Sequence, residues 1–166
     1  VKPFSDSKPG VIRCKFWGLG GDGTVGANHN TVRIINDNTD KFAQAYFEYD
    51  AKKSFGVTKS HLRFSSSPIR STYYVKNADF IACHNSSYIY KYDIVTELKE
   101  GGTFLLNCSF SENELDARLP VALKKELAKK LEKETIDVTL PSKKCKCGKM
   151  HPISAAQKEM EEIFLG

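Results

Sequence analysis

The sequence predicts an α/β domain on a mostly parallel sheet, and two stretches carry that prediction. The first is residues 11–17, a strand-like run that enters five glycines between positions 18 and 26. Val25, Val32, Ile34 and Ile35 then supply the apolar positions of a helix over 24–36. The second is Ala78–Cys83, short and almost continuously apolar, as a central parallel strand is. A strand running through glycines into a helix brings backbone N–H groups to one place, where they can approach a phosphate. Gly18, Gly20 and Gly23 fit the spacing G-x-G-x-x-G, with Asp22 among them. An anionic side chain opposes a phosphate there unless it points away or caps the helix. Taken alone, the stretch reads equally as a tight turn that closes a strand onto a helix.

The 166 residues make one domain, long enough for a real core. With 27% charged and 40% apolar residues, the chain belongs among globular rather than disordered sequences. The formal net charge of +5 suits an anionic ligand without requiring nucleic acid, and much of the surplus lies in 124–149. No apolar run is long enough to cross a membrane. Residues 1–10, with prolines, serines and a glycine, read as a linker, and the missing initial Met suggests an excised piece or a processed chain. Five cysteines, an odd count without a signal segment, point to a reducing, cytoplasmic setting. Cys14, Cys83 and Cys108 fall in or just after strands, where a buried free thiol is the default.

After a polar turn at 36–40, Phe42–Tyr49 is a second strand with alternating character, ending at Asp50. An acidic residue there is a ribose ligand in some nucleotide-binding units and otherwise a turn former. The loop 51–59 is basic; Lys52, Lys53 and Lys59 are candidate phosphate contacts, or else a solvated lysine loop. Residues 60–65 form a short strand. Ala78–Cys83 ends in His84, Asn85 and Ser86, polar where a ligand can sit, with His84 either a general base or a hydrogen-bonding structural group. A helix is expected over 87–99, stopped by Gly101 and Gly102, with a core strand at 103–107. Ser111 and Glu114 make a capping-box pattern. Pro120 divides the helical stretch that follows, and an amphipathic lysine-rich helix covers 121–133. A strand is expected at 135–139 and a helix at 155–164. Between them, Cys145, Cys147 and His151 are three soft donors on a basic loop. They are weak metal candidates, since a complete site needs a fourth ligand and C-x-C is not a usual finger or cluster spacing; the loop is expected to be metal-free.

Taken together, residues 14–108 resemble the gamma portion of pyruvate:ferredoxin (flavodoxin) oxidoreductases, the third domain where such an enzyme is one chain. The carriers are the string at 16–28, then those at 49–54, 60–64, 68–73, 78–84 and 98–107, in the same order. The resemblance implies a Rossmann-like, three-layer domain over 11–140, inside an enzyme that oxidatively decarboxylates a 2-oxoacid, pyruvate to acetyl-CoA. Thiamine diphosphate, magnesium and 4Fe-4S clusters are then expected on other domains, with ferredoxin or flavodoxin as electron acceptor. This portion is the one associated with coenzyme A. The candidate coenzyme contacts are Gly18, Gly20, Gly21, Gly23, Thr24, Asn28, Lys52, Lys53, His84 and Asn85.

His29 and Phe55 stand where the family has Lys and Gly. Residues 141–154 read as an insertion, and 155–166 as a family-like helix that stops where the family continues. No catalytic residue is assigned, and the chain alone is not expected to be catalytically sufficient. Two other readings remain: a free-standing nucleotide- or coenzyme-binding module, and a metal-binding interaction module using Cys145, Cys147 and His151.

Overall fold

A computed structural model of the chain describes residues 9–49, 55–70, 72 and 74–130. In chain order these form β1 (Val11–Leu19), α1 (Thr24–Asn38), β2 (Phe42–Tyr49), β3 (Val57–Ser65) and β4 (Ala78–Cys83). A short 3-10 turn (Ser86–Tyr90), β5 (Leu98–Leu106), α2 (Glu112–Arg118) and α3 (Val121–Lys130) follow. The strands join into one open sheet in the order β2-β3-β1-β4-β5.

The sheet is mixed. β1 pairs parallel with β4, and β4 with β5, but β3 runs antiparallel to both β1 and β2. Four strands therefore share a direction, while the hydrogen-bonded pairs divide evenly. The cause is loop length: 50–56 is shorter than the dozen or so residues a parallel crossover needs, so β3 must return against β2. β3 also begins at Val57, earlier than the expected 60, which places Lys59 in the strand rather than in a loop.

Alternation along the strands divides the core into two layers. Cys14, Phe16, Leu62, Phe64, Phe80 and Ala82 point to one face and pack with Ile35 of α1. Trp17, Ile81 and Cys83 point to the other and pack with Tyr88, Ile94, Val95 and, from α3, Leu123 and Leu127. The last two are four residues apart, one turn of a helix that presents a single apolar stripe. Helices thus cover both faces in three layers, as expected.

The helix expected over 87–99 is absent. Only Ser86–Tyr90 turns, capped where Asn85 Oδ1 accepts the Ser87 N–H at 3.0 Å. Tyr88, Ile89, Ile94, Val95 and Leu98 are buried as a helical stripe would be, but from an irregular segment. β5 starts at Leu98, and its Gly101 and Gly102 lie within the strand rather than ending a helix. Ala78 faces Leu98 whereas Phe80 faces Thr103, so the glycines form a bulge, with Gly101 at φ +68°. The capping box is formed as read: Ser111 and Glu114 satisfy one another at the start of α2.

The expected strand at 135–139, the loop 141–154 with Cys145, Cys147 and His151, and the helix 155–166 lie outside the described residues. So do Lys52 and Lys53, Asp50 and most of the linker. Among the described residues no helix is long and apolar enough to cross a membrane.

Candidate functional site

The glycine turn links the carboxyl end of β1 to the start of α1. Gly21 and Gly23 sit at φ +91° and +89°, in the left-handed region that lets the chain reverse within a few residues. Asp22 ties the turn together. Its carboxylate accepts the N–H of Leu19 at 2.7 Å and of Thr24 at 2.8 Å, and its own N–H donates to the Leu19 carbonyl at 2.9 Å. The Asp22 charge thus lies against the positive end of α1 and takes two donors that a phosphate would otherwise use. Gly20 N–H donates to the Gly56 carbonyl at 2.7 Å, locking the turn against the start of β3.

Beside this turn a groove of about 540 Å³ opens on the α1 face of the sheet, within the range of small-ligand sites. Gly20, Gly21, Val25 and His29 form one wall; Phe47 and Tyr49 of β2 form the other; Gly56 and Thr58 lie between. The His29 and Phe47 rings stack at a centroid distance of 4.0 Å and 25° between planes. Tyr49 is 60% exposed. Phe55, 76% exposed, stands beside Gly21 at the lip. It has a φ of +58°, a left-handed conformation that is rare for a bulky residue. Thr58 is buried and its hydroxyl has no hydrogen-bond partner.

The structure therefore brings Gly20 and Gly21 into the groove, with Gly23 and Thr24 in the adjoining turn. Gly18 lies beneath, where the strand touches Thr24 and Thr58. Asn28 is not in the groove wall. It faces the sheet from α1, 2% exposed, and its Nδ2 has no partner. His84 and Asn85 belong to the neighbouring strand end, outside the carboxyl ends of β1 and β4. There the two strands lead to opposite faces, the position at which open α/β sheets bind ligands. His84 N–H donates to the Trp17 carbonyl at 2.9 Å, and its ring stacks on Phe16. Burial pushes the His84 imidazole below its ordinary value, and the Asp22 charge only partly offsets this. Asn85 spends its side-chain oxygen on Ser87 N–H and hydroxyl.

Lys59 does not face the groove. It lies on the opposite face of the sheet, where it donates to Glu48 at 2.6 Å and sits 4.9 Å from the Trp17 ring centre. Lys15 bonds Glu97 on the same face. Between them His61, 1% exposed, accepts the Val75 N–H on Nδ1 at 3.0 Å. This buried polar layer was missed from the sequence. Its signal was present: Arg13 and Lys15 on one strand, and Lys59, His61 and Arg63 on another, recur at the two-residue period of a single sheet face.

Among the described residues no three His, Cys, Asp or Glu side chains come together as metal ligands. Burial holds the Cys14 thiol far above its ordinary range and pushes Cys83 up to about 12. Both remain protonated, and they fall in different core layers, so the two do not form a set of ligands.

Residues 13–156 match the family model described as pyruvate ferredoxin/flavodoxin oxidoreductase. The pyruvate-flavodoxin oxidoreductase of Enterobacter agglomerans is 58% identical over 131 residues, 76% of this chain and 11% of that protein. The chain spans 11–12% of the length of the first curated relatives it matches. Among solved structures, pyruvate oxidoreductase subunit PORC from Thermotoga maritima superposes with a TM-score of 0.54 at 19% identity, covering 66% of this chain and 57% of that one. The 2-oxoglutarate:ferredoxin oxidoreductase from Magnetococcus marinus, solved with 2-oxoglutarate, coenzyme A and succinyl-CoA bound, superposes with a TM-score of 0.51 at 14% identity, covering 69% and 19%. At these identities the structural likeness is one of fold.

Proposed function

The chain belongs to the pyruvate ferredoxin/flavodoxin oxidoreductase family, and from that premise we propose that it is the gamma, or third, portion of a pyruvate:ferredoxin oxidoreductase and contributes to coenzyme A binding. The whole protein would oxidatively decarboxylate pyruvate to acetyl-CoA in the cytoplasm and pass electrons to ferredoxin or flavodoxin. Thiamine diphosphate, magnesium and 4Fe-4S clusters would belong to its other domains, which are the partners of this one.

The observation that carries the coenzyme reading is the groove between the glycine turn and β2, at the carboxyl ends of β1 and β2. In this reading Gly20, Gly21 and Gly23 bring backbone close to the ligand, and Gly18, Thr24 and Asn28 shape the turn and the helix that hold them. His84 and Asn85 close the adjacent strand end. Lys52 and Lys53, in the segment that joins Tyr49 to Phe55, supply charge to the phosphates.

The test is Lys52→Ala with Lys53→Ala in the full-length enzyme. A sheltered charge-assisted contact contributes about 1.5–3 kcal/mol, and an exposed one under about 1 kcal/mol. The double variant is expected to raise the coenzyme A KM several-fold at low salt, with thiamine diphosphate binding unchanged. The effect should shrink as salt rises, because exposed charges are screened over about 8–10 Å at ordinary ionic strength. An unaltered coenzyme A dependence at low salt would leave these lysines as a solvated loop.

A further inference from the structure

We propose that the free edge of β2 is a docking surface, covered by an extended segment from the remainder of the enzyme polypeptide. The inference rests on the preceding reading, that this chain is one portion of a longer oxidoreductase, and names an edge at which that portion is joined to the rest.

β2 ends the sheet, and among the described residues no strand lies beyond it. Six of its eight residues are Phe, Ala or Tyr, yet none of the eight is buried. β1 and β3 bury six and seven of their nine residues. Phe42 and Tyr46 point to the face that carries His61, each 46% exposed. Tyr74, also 46% exposed, stands edge-on to Tyr46 at 5.3 Å. Phe47 and Tyr49 point to the α1 face, so aromatic rings flank the edge on both sides.

The backbone of this edge is open as well. Ala43 N–H donates to Asn36 Oδ1 at 2.9 Å rather than to β3. In an antiparallel pair the direction alternates, so Ala45, Phe47 and Tyr49 also turn their N–H and C=O groups outward. Folded proteins guard such an edge with lysine, proline, a bulge or a very short strand. β2 has none of these. It holds no Lys, Pro or Gly, and its register with β3 is unbroken over Phe42–Tyr49. Its one charged residue, Glu48, is bonded to Lys59. A long, flat, apolar edge pairs with another chain segment unless one is already supplied.

The edge also selects its occupant. An extended segment gives main-chain hydrogen bonds to the outward groups and sets alternate apolar side chains against the rings. Asn36 closes the edge at Ala43, so the free run is only 45–49, little area to hold two separate molecules together. A tethered segment needs far less, because a short tether raises its effective concentration to about millimolar. The curated relatives carry this stretch as 11–12% of their length, so in the preceding reading most of the polypeptide is at hand to supply the strand.

The test is hydroxyl-radical footprinting of the full-length enzyme, with the rate at each ring compared with that in the urea-unfolded enzyme. Phe42, Tyr46 and Tyr74 are expected to be protected about tenfold or more, as rings in the dry centre of an interface are. Protection of only about twofold, which 46% exposure gives without a partner, would overturn the proposal. Amine cross-linking at Lys41, beside the start of β2, identifies the occupant. Links to lysines outside residues 1–166 are expected, whereas a Lys41–Lys41 link would mark a second copy on this edge and overturn the assignment. A bare edge in an enzyme that turns pyruvate and coenzyme A into acetyl-CoA ends this proposal and leaves the preceding reading in place. Covered rings in an enzyme inert towards pyruvate keep the docking edge and end that reading.

Discussion

His61 shows how one buried side chain ties stability to pH. Its Nδ1 accepts the Val75 N–H, which fixes the proton of the neutral ring on Nε2. Burial, with the Lys15 and Lys59 charges adding to it and Glu48, 3.7 Å from Nε2, pulling the other way, lowers its pKa to about 4. In the unfolded chain the imidazole titrates near its ordinary 6.5. Between those values the unfolded state binds a proton that the folded state refuses. The contribution is therefore fully present above pH 6.5 and is lost as pH falls towards 4, with a total of roughly 3 kcal/mol. His61→Asn keeps an acceptor for the Val75 N–H but does not titrate. Denaturant unfolding from pH 7 to pH 4 should show a shallower fall for the variant, by about one proton's slope. Identical slopes would mean that His61 charges in the fold.

At the scale of elements, the contact between β1 and α1 depends on Gly18. A Cβ there would stand 2.7 Å from Thr24 Oγ1, 2.8 Å from Thr24 Cβ and 2.9 Å from Thr58 Oγ1, so the helix start or its neighbouring strand would have to shift. Gly26, on the first turns of the same helix, has open space where its Cβ would be. Gly18→Ala should then destabilise by about 1–3 kcal/mol, while Gly26→Ala should stabilise by about 0.5–1 kcal/mol. Urea melts of the two variants check this, and equal signs would refute it. The difference also marks what the sequence made legible. The bounds of β2 and β4 were readable because an alternating run and a continuous apolar run each end at polar turn residues. β5 was not, because Gly101 and Gly102 carry the same letters in a bulge as at a helix stop. The stretch before it misled for a related reason: Tyr88, Ile94, Val95 and Leu98 bury a stripe without a helix to space them. The direction of β3 is a pairing choice made by a short connection, which no periodicity within the strand reports. The site was half legible. The glycines announced the turn, but which of its donors were already spent on Asp22 and Gly56 is decided by tertiary geometry.

At the scale of the whole molecule, the proposed function raises the question of what this chain does by itself. Oxidative decarboxylation linked to ferredoxin needs a carrier that takes electrons one at a time, and iron–sulfur carriers need thiolate ligands in sets. Cys14 and Cys83 lie in different core layers, each with its thiol held protonated by burial. Cys145, Cys147 and His151 offer three donors at most, in a spacing that is not a usual cluster motif. In the proposed function the groove orients a ligand, and no donor set among the described residues supplies an electron route. The 166-residue chain, purified by itself, is therefore expected to leave ferredoxin and flavodoxin oxidised in the presence of pyruvate and coenzyme A. Under the proposed function, the full-length enzyme should reduce them in the same anaerobic conditions. The check is the ferredoxin absorbance on adding pyruvate to each protein, with thiamine diphosphate and magnesium present in both. Pyruvate-dependent reduction by the short chain would require a redox centre within it, and its iron content would then point to the cysteines of 141–154.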